Sequence, residues 1–192
     1  NIETNKPLFS ISIFNLGHDQ DSKDFIRNTL TKLDEIIDLE FLEMPHNNGA
    51  ILDIYHVNYS SYFDNNVVGQ ALSQNASGGK WWDIFWKDTQ TNLRSNKNTI
   101  IHEIGHALGL KHPFHPGGGG QETAENLSIS PLIGGSNKGE VLYSVMSYES
   151  AGAFVGDAES SDGNSIAVPL TPMVYDVAAL QYLYGKNPSH NN

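Results

Sequence analysis

The segment His102-Glu-Ile-Gly-His-Ala-Leu-Gly-Leu-Lys-His112 places three histidines and a glutamate at spacings that carry chemistry. On a helix, residues four apart are turned by only about 40° and raised by about 6 Å, so His102 and His106 project from one face toward one metal ion. A continued helix would carry His112 about 15 Å along the axis from His102 and round its circumference, out of reach of that ion. Gly109 resolves the conflict, because a glycine can take the left-handed conformation that ends a helix and turns the chain back. His112 then becomes the third ligand. Three neutral imidazoles leave one position open on a zinc ion, which is the arrangement of a catalytic site. Glu103 adjoins a ligand without being needed as one, so its carboxylate is placed to take a proton from water that zinc acidifies and to pass it to a leaving amine. The expected chemistry is hydrolysis; a purely structural three-histidine site would have no need of Glu103.

Composition narrows the alternatives. The chain has 192 residues, 11 Lys and Arg against 22 Asp and Glu, a net charge of -11 and no cysteine. Its length is enough for one domain, or two subdomains sharing a cleft. Such an acidic balance argues against a nucleic acid or an anionic membrane as partner, since both need a cationic face. Without cysteine there is no disulfide scaffold, thiolate-bound zinc, iron–sulfur cluster or thiol catalysis, so any metal rests on histidines and carboxylates. No apolar run approaches the roughly 18 residues of a membrane span.

Around the histidine segment the hydrophobic pattern alternates between two periods. Residues 8 to 14 read as a strand with Phe9, Ile11 and Ile13 on one face, and Asp21 to Asp38 as a helix with the stripe Ile26, Leu30, Leu33 and Ile37. Strands are expected at Leu39–Met44, Ala50–Asn58 and Lys80–Lys87, the last holding all three tryptophans, with Ser73–Gly79 as a connector. Helix is expected from Asn92 to Leu110, followed by a glycine-rich stretch of loops. A last helix starts at Thr171 as N-cap with Pro172 as first helical residue, ends at Gly185, and carries the stripe Met173, Val177, Leu180 and Tyr184. This order suggests an α/β or α+β fold. His18, His46, His56, His115 and His190 lack ligand spacing and read as surface or core residues, with His115 near enough in sequence to line a cleft.

The extended pattern of histidines, Glu103 and Gly109 resembles that of the metzincin metalloendopeptidases. Ser144-Val-Met-Ser-Tyr148 is similar to their second hallmark, a tight turn with a methionine, here Met146, beneath the zinc. Tyr148 falls where serralysins and astacins carry a tyrosine able to ligate zinc, and Asp176–Gly185 resembles the C-terminal helix of serralysins and matrixins. Lys111-His112-Pro113, the Tyr148 turn and the lack of cysteine favour the serralysin branch, without the calcium-binding repeat domain that normally follows.

This resemblance implies a zincin fold: a twisted mixed five-stranded sheet with two helices above an active-site cleft, and a loop-rich lower part with the methionine turn and C-terminal helix. The upper part would be residues 1–112 and the lower 113–192. It implies Zn(2+) on His102, His106 and His112 with Tyr148 as an additional ligand, and catalysis by Glu103 and Tyr148. It also implies a secreted, extracellular endopeptidase that binds proteins or peptides extended in the cleft, with Trp81–Trp86 as the candidate edge strand. A proteinaceous inhibitor or propeptide is a further candidate partner. The competing reading is a zinc-bearing module that grips peptides without cutting them, and Glu103 argues against it. The acidic loop Asp157–Ser165 could gather calcium, but its spacing does not match an EF-hand and no specific site is expected there.

Overall fold

The computed structural model describes residues 8–13, 16–46, 49–57, 67–88, 93–112, 143–147 and 168–190. Within them the chain forms β1 (Leu8–Ser12), α1 (Gln20–Ile36), β2 (Glu40–Glu43), β3 (Leu52–His56), β4 (Gly69–Ala76), β5 (Gly79–Trp86), α2 (Leu93–Ala107) and α3 (Val174–Tyr184), followed by a 3-10 turn at Pro188–His190. The five strands make one mixed sheet in the order β2-β1-β3-β5-β4, parallel except for β4, which lies antiparallel to β5 at the edge. This is an α/β, zincin-like arrangement. No helix among the described residues is long and apolar enough to cross a membrane.

One face of the sheet makes the core. Leu52 and Ile54 on β3 stand opposite Trp82 and Ile84 on β5, and Ile11 opposite Leu52. α1 and α2 close this face, the first with Ile26, Leu30 and Leu33 and the second with Ile100, Ile101 and Ile104. The stripe read from α1, including Ile37 just beyond its end, is fully buried. The helix starts at Gln20 because Asp19 caps it, its carboxylate accepting the Ser22 amide at 2.8 Å.

Three expectations need correction. Ser73–Gly79 is not a connector: β4 runs through Ala76, and the chain reverses at Ser77 and Gly78 into β5. Gln, Ser and Asn are weak strand formers, so this segment is held by its full-length pairing with β5 rather than by its own propensity. In consequence the tryptophan strand β5 lies inside the sheet, and among the described residues the edge is β4. Lastly, α3 begins at Val174 with Met173 as N-cap, not at Thr171, because the carboxylate of Asp176 takes the Met173 amide at 2.8 Å.

The opposite face of the sheet brings Asp53 on β3 beside Asp83 on β5. Asp83 accepts from the Gln74 amide at 2.9 Å and the Trp81 indole at 3.2 Å, whereas Oδ1 of Asp53 is buried with no hydrogen-bond partner among the described residues. Burial, and then the charge of Asp83, pushes Asp53 up to about 7. An unfolded Asp titrates near 3.9. Between these values the folded chain keeps a proton that the unfolded chain gives up, so the stabilisation is present below about pH 4 and lost as pH rises through 7. The melting temperature of the metal-free protein is therefore expected to fall between pH 5 and pH 8, and Asp53→Asn should flatten that slope and raise the value at pH 8. A variant with the wild-type slope would show that Asp53 is not its source.

Candidate metal centre

α2 carries His102, Glu103 and His106 against the sheet and then stops in a closed C-terminal motif. The Gly109 amide donates to the His106 carbonyl at 2.9 Å and the Leu110 amide to the Gly105 carbonyl at 2.9 Å, with Gly109 at φ 95°. A side chain at Gly109 would strain this left-handed backbone, which is where the glycine's freedom is used. Beyond the turn the chain folds back and brings His112 to the other two rings. The Nε2 atom of His112 lies 3.1 Å from that of His102 and 3.2 Å from that of His106. Two nitrogens bonded tetrahedrally to zinc at about 2.0–2.1 Å would be about 3.3 Å apart, so both distances to His112 fit the ion, and all three ligand atoms lie within 4.8 Å of one another.

Two of the rings have their orientation set from behind. Nδ1 of His102 donates to the Val145 carbonyl at 2.9 Å and Nδ1 of His106 to the Leu110 carbonyl at 2.9 Å. A carbonyl only accepts, so each Nδ1 holds the ring proton and each Nε2 offers a lone pair. The turn at Gly109 thus both redirects the chain and supplies the acceptor for His106. Burial, followed by His106, lowers His102 to about 3, and burial also lowers His106. Both of these imidazoles are neutral at pH 7, in the state that binds metal. Among the described residues this is the cluster of three potential ligands that could hold an ion.

Glu103 is 6% exposed and lies against β4, where the Ala71 amide hydrogen-bonds to its carboxylate. Burial pushes it up to about 8, with the Ala71 bond working in the opposite direction. A cation held by the three histidines would likewise favour the ionised form. Met146 is buried beneath α2, and a Cβ added at Gly105 would stand 2.5 Å from its sulfur. The absence of a side chain at Gly105 is what lets the 143–147 turn pack under the ligand helix. Tyr148, His115 and the loop Asp157–Ser165 lie outside the described residues. His18 and His56 stack on Trp86 with ring centroids at 5.9 and 4.1 Å.

Sequence reasoning missed the part played by Asp176. It is 3% exposed and its carboxylate accepts from the Ser144 hydroxyl at 2.7 Å, the Val145 amide at 2.8 Å and the Met173 amide. The Ser144 hydroxyl in turn accepts the Met146 amide at 3.0 Å. Asp176 therefore locks the turn whose Val145 carbonyl orients His102. The signal was present, since Asp176 is the one charged residue of α3. Tyr184, at the other end of α3, donates its hydroxyl to the Leu108 carbonyl at 3.0 Å and so ties down the end of α2.

A helix-borne His-Glu-x-x-His, a third histidine beyond a glycine turn and a mixed sheet with an antiparallel edge define a metzincin-type zincin. The chain is 28% identical over 185 residues to serralysin of Proteus mirabilis, covering 86% of this chain and 34% of that protein. It is 29% identical over 133 residues to serralysin C of Dickeya chrysanthemi, covering 66% and 23%. With metallopeptidase AprA of Pseudomonas marginalis it shares 30% identity over 143 residues, covering 69% and 28%. The chain thus spans 23% to 34% of the length of these relatives. No family model matches it. The chain belongs to the serralysin-like metzincins.

Asp176→Asn keeps the shape of the side chain but replaces one acceptor oxygen by a donor, which leaves a buried amide at the turn without its partner. Loss of groups that orient a metal ligand typically costs about 10- to 100-fold in affinity. That loss is expected in a zinc competition titration, with the far-ultraviolet circular dichroism unchanged; wild-type affinity would show that the lock has no bearing on the metal.

Proposed function

We propose that this chain hydrolyses internal peptide bonds of extended protein or peptide substrates as a zinc endopeptidase, and that it acts outside the cell. The observation that carries the reading is the convergence of the Nε2 atoms of His102 and His106 on that of His112, each at about a tetrahedral edge, beside a buried carboxylate that takes no part in the cluster. The relatives named serralysin and metallopeptidase support it.

His102, His106 and His112 hold the metal in this proposal. Bound zinc supplies a Lewis acid that polarises the scissile carbonyl and makes water more acidic. Glu103 accepts the proton of the attacking water at its carboxylate and delivers it to the departing amine. Met146 forms the floor of the site as a methionine turn. Tyr148 then ligates zinc at rest or donates its hydroxyl to the oxygen on which charge develops. The cleft lies between an upper part, residues 1–112, and a lower part, 113–192, and the peptide lies along the free edge of β4. A propeptide or proteinaceous inhibitor would enter the same cleft.

Two substitutions separate holding the metal from turnover. His106→Ala should lose stoichiometric zinc on dialysis, while Glu103→Ala should retain it and cleave a peptide library at least about 100-fold more slowly. Glu103→Ala within threefold of wild-type kcat would end the assignment of the base.

Tyr148→Phe tests the remaining role. Removing one donor to a developing oxyanion costs roughly 100- to 1,000-fold in kcat. That fall is expected with zinc content, KM and melting temperature retained; unchanged kcat would leave Tyr148 as packing of the turn.

A further inference from the structure

The outer edge of β4, which no other described strand covers, presents a broken row of hydrogen-bonding groups, and the break lies at Glu103. In an antiparallel pair, successive residues point their amides and carbonyls alternately toward the partner strand and away from it. The Lys87 amide bonds to the Val68 carbonyl at 3.0 Å, which sets the phase: Gln70, Leu72 and Gln74 face β5, and Gly69, Ala71, Ser73 and Asn75 face outward. The outward amide of Ala71 is not left to a partner strand, because it meets the Glu103 carboxylate. Gly69 makes this approach possible: a Cβ there would stand 2.7 Å from Oε1 and 3.0 Å from Cγ of Glu103, and 2.5 Å from Cγ2 of Thr99.

We infer that the Ala71 amide is a positioning group for Glu103 and is withdrawn from the ladder that β4 offers a peptide, so that the carbonyl opposite Ala71 is the one left free for attack. The inference rests on the proposed function, in which Glu103 is the base and the peptide adds to β4. Were all outward amides available, an added strand would have each of its facing carbonyls tied to β4. With the Ala71 donor occupied, the facing carbonyl is left without a strand partner, and it is the carbonyl nearest Glu103. Gly69 and Ser73 keep their amides for the rungs on either side. One backbone bond thus holds the base against the strand and sets the register of the peptide.

Proline removes a single amide, and an outward position on an edge strand tolerates it because no bond to β5 is lost. The zinc-loaded chain, Ala71→Pro and Ser73→Pro should be compared on an internally quenched peptide built around a casein bond that the wild type cleaves. Ala71→Pro is expected to lower kcat at least tenfold with KM within twofold and zinc content unchanged. Ser73→Pro is expected to raise KM about 2- to 10-fold, the effect of one lost backbone bond, with kcat retained. A rise in KM without loss of kcat in Ala71→Pro would assign that amide to the peptide ladder and overturn the inference, as would wild-type kinetics.

An amide nuclear magnetic resonance measurement on the metal-free protein covers the case in which Ala71→Pro does not fold. Glu103→Ala should move the Ala71 amide proton upfield and reduce its exchange protection, while the Gln70 amide, bonded to β5, keeps both. An unmoved Ala71 resonance overturns the inference. Failure of the wild type to cleave any peptide would instead remove the proposed function, with the resonance still deciding the bond between Ala71 and Glu103.

Discussion

The imidazoles of His102 and His106 turn their Nε2 lone pairs toward His112 because their ring protons are held on the far side by backbone carbonyls. That constraint organises the centre. A second proton on either ring would make it a cation, and burial disfavours the charged form of His102 and His106. The protons of these two rings sit on Nδ1 and are held by the carbonyls of Val145 and Leu110. The outcome is two lone pairs aimed at one point beside His112, where a cation can meet them.

The two carbonyls come from different parts of the chain, and each is fixed by its own device. Leu110 is supplied by the turn at Gly109, within the same local motif that ends α2. Val145 is supplied by a turn that is bonded at two points to a carboxylate from α3. Because the Ser144 hydroxyl accepts from Met146 while donating to Asp176, the bonds run in a chain whose members polarise one another. α3 is itself secured at its far end, where Gln181 donates to the Ile36 carbonyl at 3.1 Å and the Asp38 amide to the Gly185 carbonyl at 3.0 Å. The ligand helix is thus gripped from both sides of the core.

The features legible in the sequence are those with local causes. Helical spacing brings His102 and His106 to one face, glycine ends the helix at 109, and an apolar stripe buries α1; each follows from a few neighbouring residues. The strand β4 was hidden because Gln70, Ser73, Gln74 and Asn75 form a strand only when β5 lies alongside, and local propensity contains no record of that neighbour. The error carried over to the sheet edge: three tryptophans suggested a surface for binding, yet the pairing of β5 on both sides places them inside the sheet. Asp176 escaped notice because an acidic residue in a first helical turn has an ordinary explanation in the helix dipole. Its three acceptor bonds arise from segments distant in sequence, which no local pattern encodes.

The bonds that complete the centre also set an order of assembly. His102 waits on Val145, 43 positions further along, and Leu108 waits on Tyr184, 76 positions beyond it. A chain emerging from the ribosome therefore displays all three histidines well before it has made the groups that aim the first of them. Domains fold largely as units once their contacts are present, and closing long loops is slow relative to helix formation. Until α3 docks, His106 has its local acceptor but His102 lacks a fixed one, so the rings are only partly aimed. α3, the last α-helix among the described residues, completes the orientation of His102, so the three rings reach their final arrangement only once it has been made.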